Sequence, residues 1–160
     1  MTAKVAEQYA WKFHQGQFRK KNNLPYIVHP ENVVNYLKGF GINDENTLSV
    51  AWLHDTLEDT TLSYEEIELV FGKSVAKNVY ILTRNVDREK YKQRLKTAGR
   101  PAQLVKLVDT LDNVSTLDSL SPESIQRKIE DCEGFYIPLA NKIFPEIGKQ
   151  LENHINYYKR

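Results

Sequence analysis

The sequence predicts an all-α fold, and three observations predict it. Apolar residues recur at three- and four-residue spacing almost throughout. Glycine and proline fall between the periodic segments rather than inside them. Helix-start signatures stand where new segments begin, as in Ser63-Tyr64-Glu65-Glu66 and Ser121-Pro122-Glu123. No alternating apolar pattern competes with this reading. At 160 residues the chain has the length of one domain with a proper core, and a single helical bundle over 1–160 is expected.

The elements follow in order. A first helix is expected over residues 3–15, followed by a polar, basic stretch over 16–24 and the string Pro25-Tyr26-Ile27-Val28-His29-Pro30. Pro30 suits the first turn of a second helix ending near Gly39, because its fixed φ fits there and its missing N–H is not needed. A third helix starts around Asn43-Asp44 and carries Leu48, Val50, Ala51, Trp52 and Leu53 into the acidic cluster LHDTLEDT at 53–60. Ser63 and Glu66 have the capping-box spacing, opening a short helix that closes at Phe71-Gly72. A helix through Val75, Val79 and Leu82 follows, and residues 83–99 read as polar and partly helical. After Pro101, the residues Leu104, Leu107, Val108, Leu111, Val114 and Leu117 mark a strongly amphipathic helix. Ser121 caps the next, which runs toward Ile137-Pro138-Leu139-Ala140, and a last helix follows Pro145.

Composition excludes several function classes. Lys+Arg 22 against Asp+Glu 21 leaves a charge near zero, so no global field favours a nucleic-acid coat or an anionic membrane. Phosphate binding must therefore be local. One cysteine, Cys132, makes neither an intrachain disulfide nor a cysteine-rich zinc site and reads as a small buried apolar residue in a reducing compartment. No window approaches the roughly 18 apolar residues of a membrane span, and a cytoplasmic location is expected.

The stretch 53–60 concentrates chemistry: one imidazole and three carboxylates lie within six residues, His54 to Asp59. Crowded carboxylates repel and lose hydration near a core, so they require a cation, protons or firm hydrogen bonds. In one continuous helix His54 and Glu58 would be i,i+4 neighbours, as would Asp55 and Asp59. His54 and Asp55 offer a nitrogen and an oxygen ligand for a divalent transition metal, but two ligands do not make a site. The remaining histidines are His14, His29 and His154. His14 lies beside apolar Ala10 and Phe13, where core packing and metal ligation are about equally good readings. His29, between Val28 and Pro30, reads as structural, packing or bonding the helix start. His154 reads as exposed. On the helix after Pro101, Asp109 and Asn113 are i,i+4 neighbours on the flank of the apolar arc, and Asp112 projects closer to its centre. Asp109 reads either as a surface charge paired with Lys106 or as a residue with a buried partner.

Several strings together resemble the HD-domain phosphohydrolases, and among them the hydrolase domain of RelA/SpoT proteins: HQGQFRK at 14–20, PYIVHP at 25–30, LHDTLEDT at 53–60, FGKSVAKNVYILT at 71–83, LVKLVDTLDN at 104–113 and FYIPLANKI at 135–143. The length is similar to Mesh-type small alarmone hydrolases. The resemblance implies one divalent metal ion, manganese, held by His14, His54, Asp55 and Asp109. It implies that Glu58 and Asp59 handle water and proton transfer, that Asn113 contacts nucleotide, and that Arg19 and Lys20 form a basic loop beside the site. Lys4 stands for the basic residues of the family's first helix, and Lys90, with Arg88, Lys92 and Arg94, offers further phosphate contacts.

The implied reaction is hydrolysis of ppGpp or pppGpp to GDP or GTP with release of pyrophosphate. The implied partner is thus a small nucleotide, with no membrane and no nucleic acid beyond an RNA 3′ end. No oligomeric state is implied, and no alarmone-synthesising domain is expected. One departure bears on substrate: Asp112 precedes Asn113 where the family usually carries His or Tyr, adding negative charge. Two rival readings stay open: a phosphohydrolase of another nucleotide or a pyrophosphorylated RNA 3′ end, and a non-catalytic, antitoxin-like binding protein. Glu58 separates the second from turnover, because a structural metal site has no need of an additional carboxylate.

Overall fold

The computed structural model describes residues 2–159. As expected, it is all-α: among the described residues the only extended pairing is an isolated antiparallel bridge between Phe18 and Pro25. The chain forms two compact units that divide between Lys106 and Leu107.

In the first unit, α1 (Ala3–Phe13) and α2 (Val28–Gly39) pack against α3 (Glu45–Leu53). Ala6 and Ala10 are the buried residues of α1, and their small side chains let the two helices approach closely. In α2, Pro30 sits in the first turn as expected. The helix ends with Gly41 at φ 81°, where Ile42 N–H reaches Leu37 O at 2.9 Å and Gly41 N–H reaches Lys38 O at 2.9 Å. This paired closure needs a left-handed residue, which glycine adopts without a Cβ penalty.

Helix α3 is the centre of this unit. Asp44 caps it by accepting from Thr47 N–H at 2.8 Å, and residues 47–53 are all buried. Such all-round burial marks a helix covered on every side, here by α1, α2 and α6 (Lys73–Leu82). Fully buried Leu37, Leu53 and Ile67 each contribute about 1.5–3 kcal/mol of hydrophobic stabilisation. A four-residue helix, α4 (Thr56–Asp59), follows, and then α5 (Tyr64–Phe71), which opens on the expected reciprocal capping box between Ser63 and Glu66. Residues 83–99 contain α7 (Arg88–Lys96), started by Asp87, which accepts from Lys90 N–H at 2.9 Å.

Helix α8 (Arg100–Val114) contributes residues to both units. It stops before Leu117, which is nevertheless buried, its N–H bound to Tyr158 Oη at 3.0 Å. In the second unit the run expected from Ser121 toward Ala140 is not one regular helix. It comprises α9 (Pro122–Asp131), a five-residue π turn (Cys132–Tyr136) and α10 (Ile137–Ile143). Pro138 stands just past the turn, and a proline there removes an amide donor and crowds the carbonyl four residues back. Helix α11 (Pro145–Tyr158) packs on α10 at Gly148, where a Cβ would come within 2.2 Å of Asn141 Oδ1.

Candidate metal centre

The acidic stretch does not continue α3, contrary to the expectation of one helix end presenting all four groups. Helix α3 stops at Leu53, and α4 restarts from Asp55, whose carbonyl accepts Asp59 N–H at 3.0 Å. Side chains take the carbonyls freed at the break: His54 Nδ1 lies 2.7 Å from Ala51 O, and Thr56 Oγ1 donates to Leu53 O at 2.7 Å. Local side-chain bonds of this kind compete with the helical ladder and end it. The break turns His54 and Asp55 inward as neighbours.

Their partner is His29. His29 Nε2, His54 Nε2 and an Asp55 carboxylate oxygen all lie within 4.8 Å of one another, and both imidazoles are buried. The pairwise distances are 3.2 Å between the two Nε2 atoms, 3.0 Å from His54 Nε2 to Asp55 Oδ2 and 3.6 Å from His29 Nε2 to the same oxygen. Because His54 Nδ1 faces a carbonyl, it carries the proton and leaves a lone pair on Nε2. A lone pair turned toward a carboxylate oxygen is satisfied by a shared proton or by a cation, and this donor set can supply ligands to a cation. Two imidazole nitrogens and one carboxylate suit a divalent transition metal. Tyr26 Oη donates to Asp55 Oδ2 at 2.5 Å, the outer support that orients a ligating carboxylate.

His29, read from the sequence as structural, is thus one of the three residues whose possible ligand atoms converge. His14, which was expected to supply a ligand, is not one of the three residues whose ligand atoms converge. Its ring stacks obliquely on Tyr26, with centroids 4.8 Å apart, one layer behind Asp55. His14 Nδ1 bonds Gln17 Oε1 at 2.8 Å, and Gln17 Nε2 donates to Asp59 O at 2.8 Å, so His14 and Gln17 brace the backbone of the acidic stretch. His14 Nε2 is buried and has no hydrogen-bond partner. Burial pushes the His14 pKa below its usual value, against the raising effects of the Gln17 bond and the Asp55 charge. Position 29 was legible in one respect: two quoted strings, HQGQFRK and PYIVHP, each hold a histidine, and only packing of α2 on α3 decides between them.

Glu58 and Asp59 occupy a different environment. Glu58 is gripped at both oxygens by one residue: Arg84 N–H donates to Oε1 at 2.7 Å and Arg84 Nη2 to Oε2 at 3.1 Å. Asp59 reaches solvent, yet partial desolvation pushes its pKa up, and the charges of Asp55 and Glu58 add to the shift. His14 and Arg84 oppose it.

The remaining predicted residues divide by location. Arg19 and Lys20 lie in the loop before α2, which is stitched by Arg19 N–H to Leu24 O at 2.8 Å and Tyr26 N–H to Gln17 O at 2.8 Å. Arg19 is buried and Lys20 exposed. Lys4 and Lys90 sit in short-range surface ion pairs, with Glu7 at 3.0 Å and Asp87 at 3.3 Å. In the second unit Asn113 Nδ2 donates to Asp109 Oδ1 at 2.8 Å, realising the i,i+4 spacing, and Asp109 and Asp112 are both buried.

Comparison with known proteins gives a consistent result. The family model described as HD domain matches residues 6–143. The guanosine-3′,5′-bis(diphosphate) 3′-pyrophosphohydrolase of Aquifex aeolicus is 39% identical over 148 residues, covering 86% of this chain and 21% of that protein. The bifunctional (p)ppGpp synthase/hydrolase SpoT of Escherichia coli K12 is 33% identical over 143 residues, covering 81% and 20%. This chain thus spans about a fifth of the length of the curated relatives it matches. A solved structure of a metazoan SpoT orthologue, described as hydrolysing ppGpp, is similar at TM-score 0.85 and 26% identity, covering 98% of this chain and 94% of the other.

Proposed function

Because this chain belongs to the HD-domain family, we propose that it is a metal-dependent phosphohydrolase that converts ppGpp or pppGpp and water to GDP or GTP and pyrophosphate. The observation that carries the proposal is the convergence of His29, His54 and Asp55 into a divalent-metal ligand set within 4.8 Å. The substrate assignment is supported by relatives named for the 3′-pyrophosphohydrolase reaction and by the similarity to the metazoan ppGpp hydrolase along nearly the whole chain. The same similarity supports a Mesh-type assignment.

In this reading His29, His54 and Asp55 would hold one divalent ion, assigned as manganese, and Asp109 keeps the ligand role that the family resemblance implies. When bound, such an ion supplies Lewis acidity, which lowers the pKa of water and polarises a phosphoryl oxygen. The protein groups do the rest. Glu58 orients the attacking water and accepts its proton at the carboxylate. Asp59, whose pKa is raised chiefly by desolvation, is assigned to proton transfer at the leaving 3′ oxygen of the ribose. Arg19 and Lys20 neutralise phosphate charge as it redistributes, and Asn113 contacts the nucleotide. His14 is assigned to bracing the site through Gln17 and Tyr26. Lys4 and Lys90 are secondary phosphate contacts that must leave their surface ion pairs to act. The single, buried Cys132 is consistent with the reducing cytoplasm, the location we assign.

The test is product analysis of manganese-loaded protein incubated with ppGpp, beside chelator-treated protein and Asp109→Ala. Metal-dependent release of GDP and pyrophosphate is expected, with loss in both controls. Folded, metal-bound protein that leaves ppGpp intact but cleaves another 3′-phosphorylated nucleotide or an RNA 3′ end would overturn the substrate assignment while keeping the reaction class.

A further inference from the structure

The loop between α6 and α7 is built around one residue that faces the catalytic stretch. Arg84 offers two donors to Glu58, a backbone N–H at 2.7 Å from Oε1 and guanidinium Nη2 at 3.1 Å from Oε2. Both chain neighbours of Arg84 are held from behind by Arg94 of α7: its Nη2 donates to Thr83 O and its Nη1 to Asn85 Oδ1 at 2.9 Å. Arg94 lies over the rings of Tyr91 and Tyr80, at 5.3 Å and 5.8 Å from their centroids. Asn85 Nδ2 in turn reaches Tyr80 Oη at 3.2 Å. An arginine held among two aromatic faces and two acceptors has little freedom, and it transfers that rigidity to the loop.

We propose that Arg84 and Arg94 are positioning residues for Glu58. Arg94 fixes the loop, and the backbone and guanidinium donors of Arg84 hold the two Glu58 oxygens so that the carboxylate meets the attacking water in one orientation. The proposal rests on the assignment of Glu58 as the group that handles water. A glutamate has three rotatable side-chain bonds, and a donor on each oxygen removes most of that freedom before substrate arrives. Misplacing a reacting group by about 1 Å can cost on the order of 10²-fold in rate, and supporting residues of this kind set such geometry. Arg84 is on the exposed side of the loop, with its side chain 67% accessible. The alternative role for it is therefore direct capture of a substrate phosphate, and the two roles predict different kinetics.

The experiment is a double-mutant cycle. Arg84→Gln and Arg94→Gln should each lower kcat about 10- to 100-fold with KM little changed, and Arg84→Lys should recover part of the loss by returning one donor to Oε2. In a Glu58→Gln background, neither arginine substitution should lower the residual rate further. A rise in KM with kcat unchanged, or an equal loss in the Glu58→Gln background, would overturn the proposal in favour of phosphate capture. A second readout is independent of turnover: amide hydrogen exchange at Arg84 in the metal-free protein. Its N–H should be protected in the wild type and lose protection in both Glu58→Ala and Arg94→Gln, while core amides such as those of Val79 and Leu95 stay protected. Protection that survives Glu58→Ala would overturn the clamp itself, whereas an intact clamp in a protein that does not cleave ppGpp would fault only the substrate assignment.

Discussion

The two halves of the stretch 53–60 carry similar residues and do opposite things with them. His54 and Asp55 turn inward, where with His29 they bring three possible metal-ligand atoms within 4.8 Å of one another. Glu58 and Asp59, one helical turn later, face the Arg84 loop and solvent, and Glu58 has its charge met by donors of the protein itself. The break between α3 and α4 separates them. A cluster that looks uniform in sequence is thus two environments, which the proposed function assigns to metal binding and to proton handling. Breaking either half should have a different signature.

The largest effect is expected at the inward half. His29→Ala, His54→Ala and Asp55→Ala should abolish stoichiometric divalent-metal binding, measured by elemental analysis after gel filtration or by calorimetry, and turnover should fall with it. His14→Ala should retain the metal. This pair of substitutions sharpens the one point at which the structure departs most from the sequence reading. Metal retained in His29→Ala and lost in His14→Ala would restore His14 as the ligand.

At the outward half, Glu58→Gln should leave metal binding intact and reduce kcat by about 10²- to 10⁴-fold, the usual range for a lost general base. Steady-state kinetics on protein of verified metal content decides this. Loss of the metal in Glu58→Gln would merge the two halves into one ligand set, and unchanged turnover would remove Glu58 from the chemistry.

A smaller effect is expected from the support of the inward half. Tyr26→Phe deletes the hydroxyl that donates to Asp55 Oδ2 at 2.5 Å and should weaken metal affinity by about 10- to 100-fold, as loss of an outer hydrogen bond to a ligand commonly does. A competition titration against a chromophoric chelator would measure it. Unchanged affinity would mean that Asp55 is oriented by its backbone alone.

Most of the helices could be read from the sequence because their signals are local. The Ser63–Glu66 capping box, the Asp44 and Ser121 caps and the apolar rows each depend on residues within a few positions of one another. The His54-Asp55 pair and its acidic followers were legible for the same reason. What escaped depends on contacts distant in sequence or on competition within a helix. His29 becomes a neighbour of His54 only when α2 packs on α3, 25 positions later in the chain. The break after Leu53 follows from His54 and Thr56 side chains taking carbonyls, which periodicity does not register. The role of residues 83–87 was hidden because a short polar loop has no pattern until Arg94 and Glu58 are seen to hold it.

The smallest expected effect is on stability, and it contrasts by sign His14, behind the inward half, with Asp59 of the outward half. In the metal-free protein the His14 pKa lies below the ordinary value of about 6.5, chiefly through burial. Between the folded and unfolded values the unfolded chain binds more protons, so stability is complete above about pH 6.5 and is lost as pH falls toward the folded value. Asp59 is shifted the other way, chiefly through desolvation. The folded chain then holds its proton more tightly, and stability falls as pH rises from about 3.9, the unfolded value, through the raised folded one. His14→Gln should therefore flatten the decline of Tm on acidification below about pH 6.5, by on the order of a few degrees. Asp59→Asn should raise Tm at neutral pH, with the gain vanishing as the pH approaches about 3.9. Thermal melts of the two variants across pH 3.5–8, in the presence of chelator, separate these signs. A Tm profile for His14→Gln that parallels the wild type would mean that the buried imidazole does not set the acid limit.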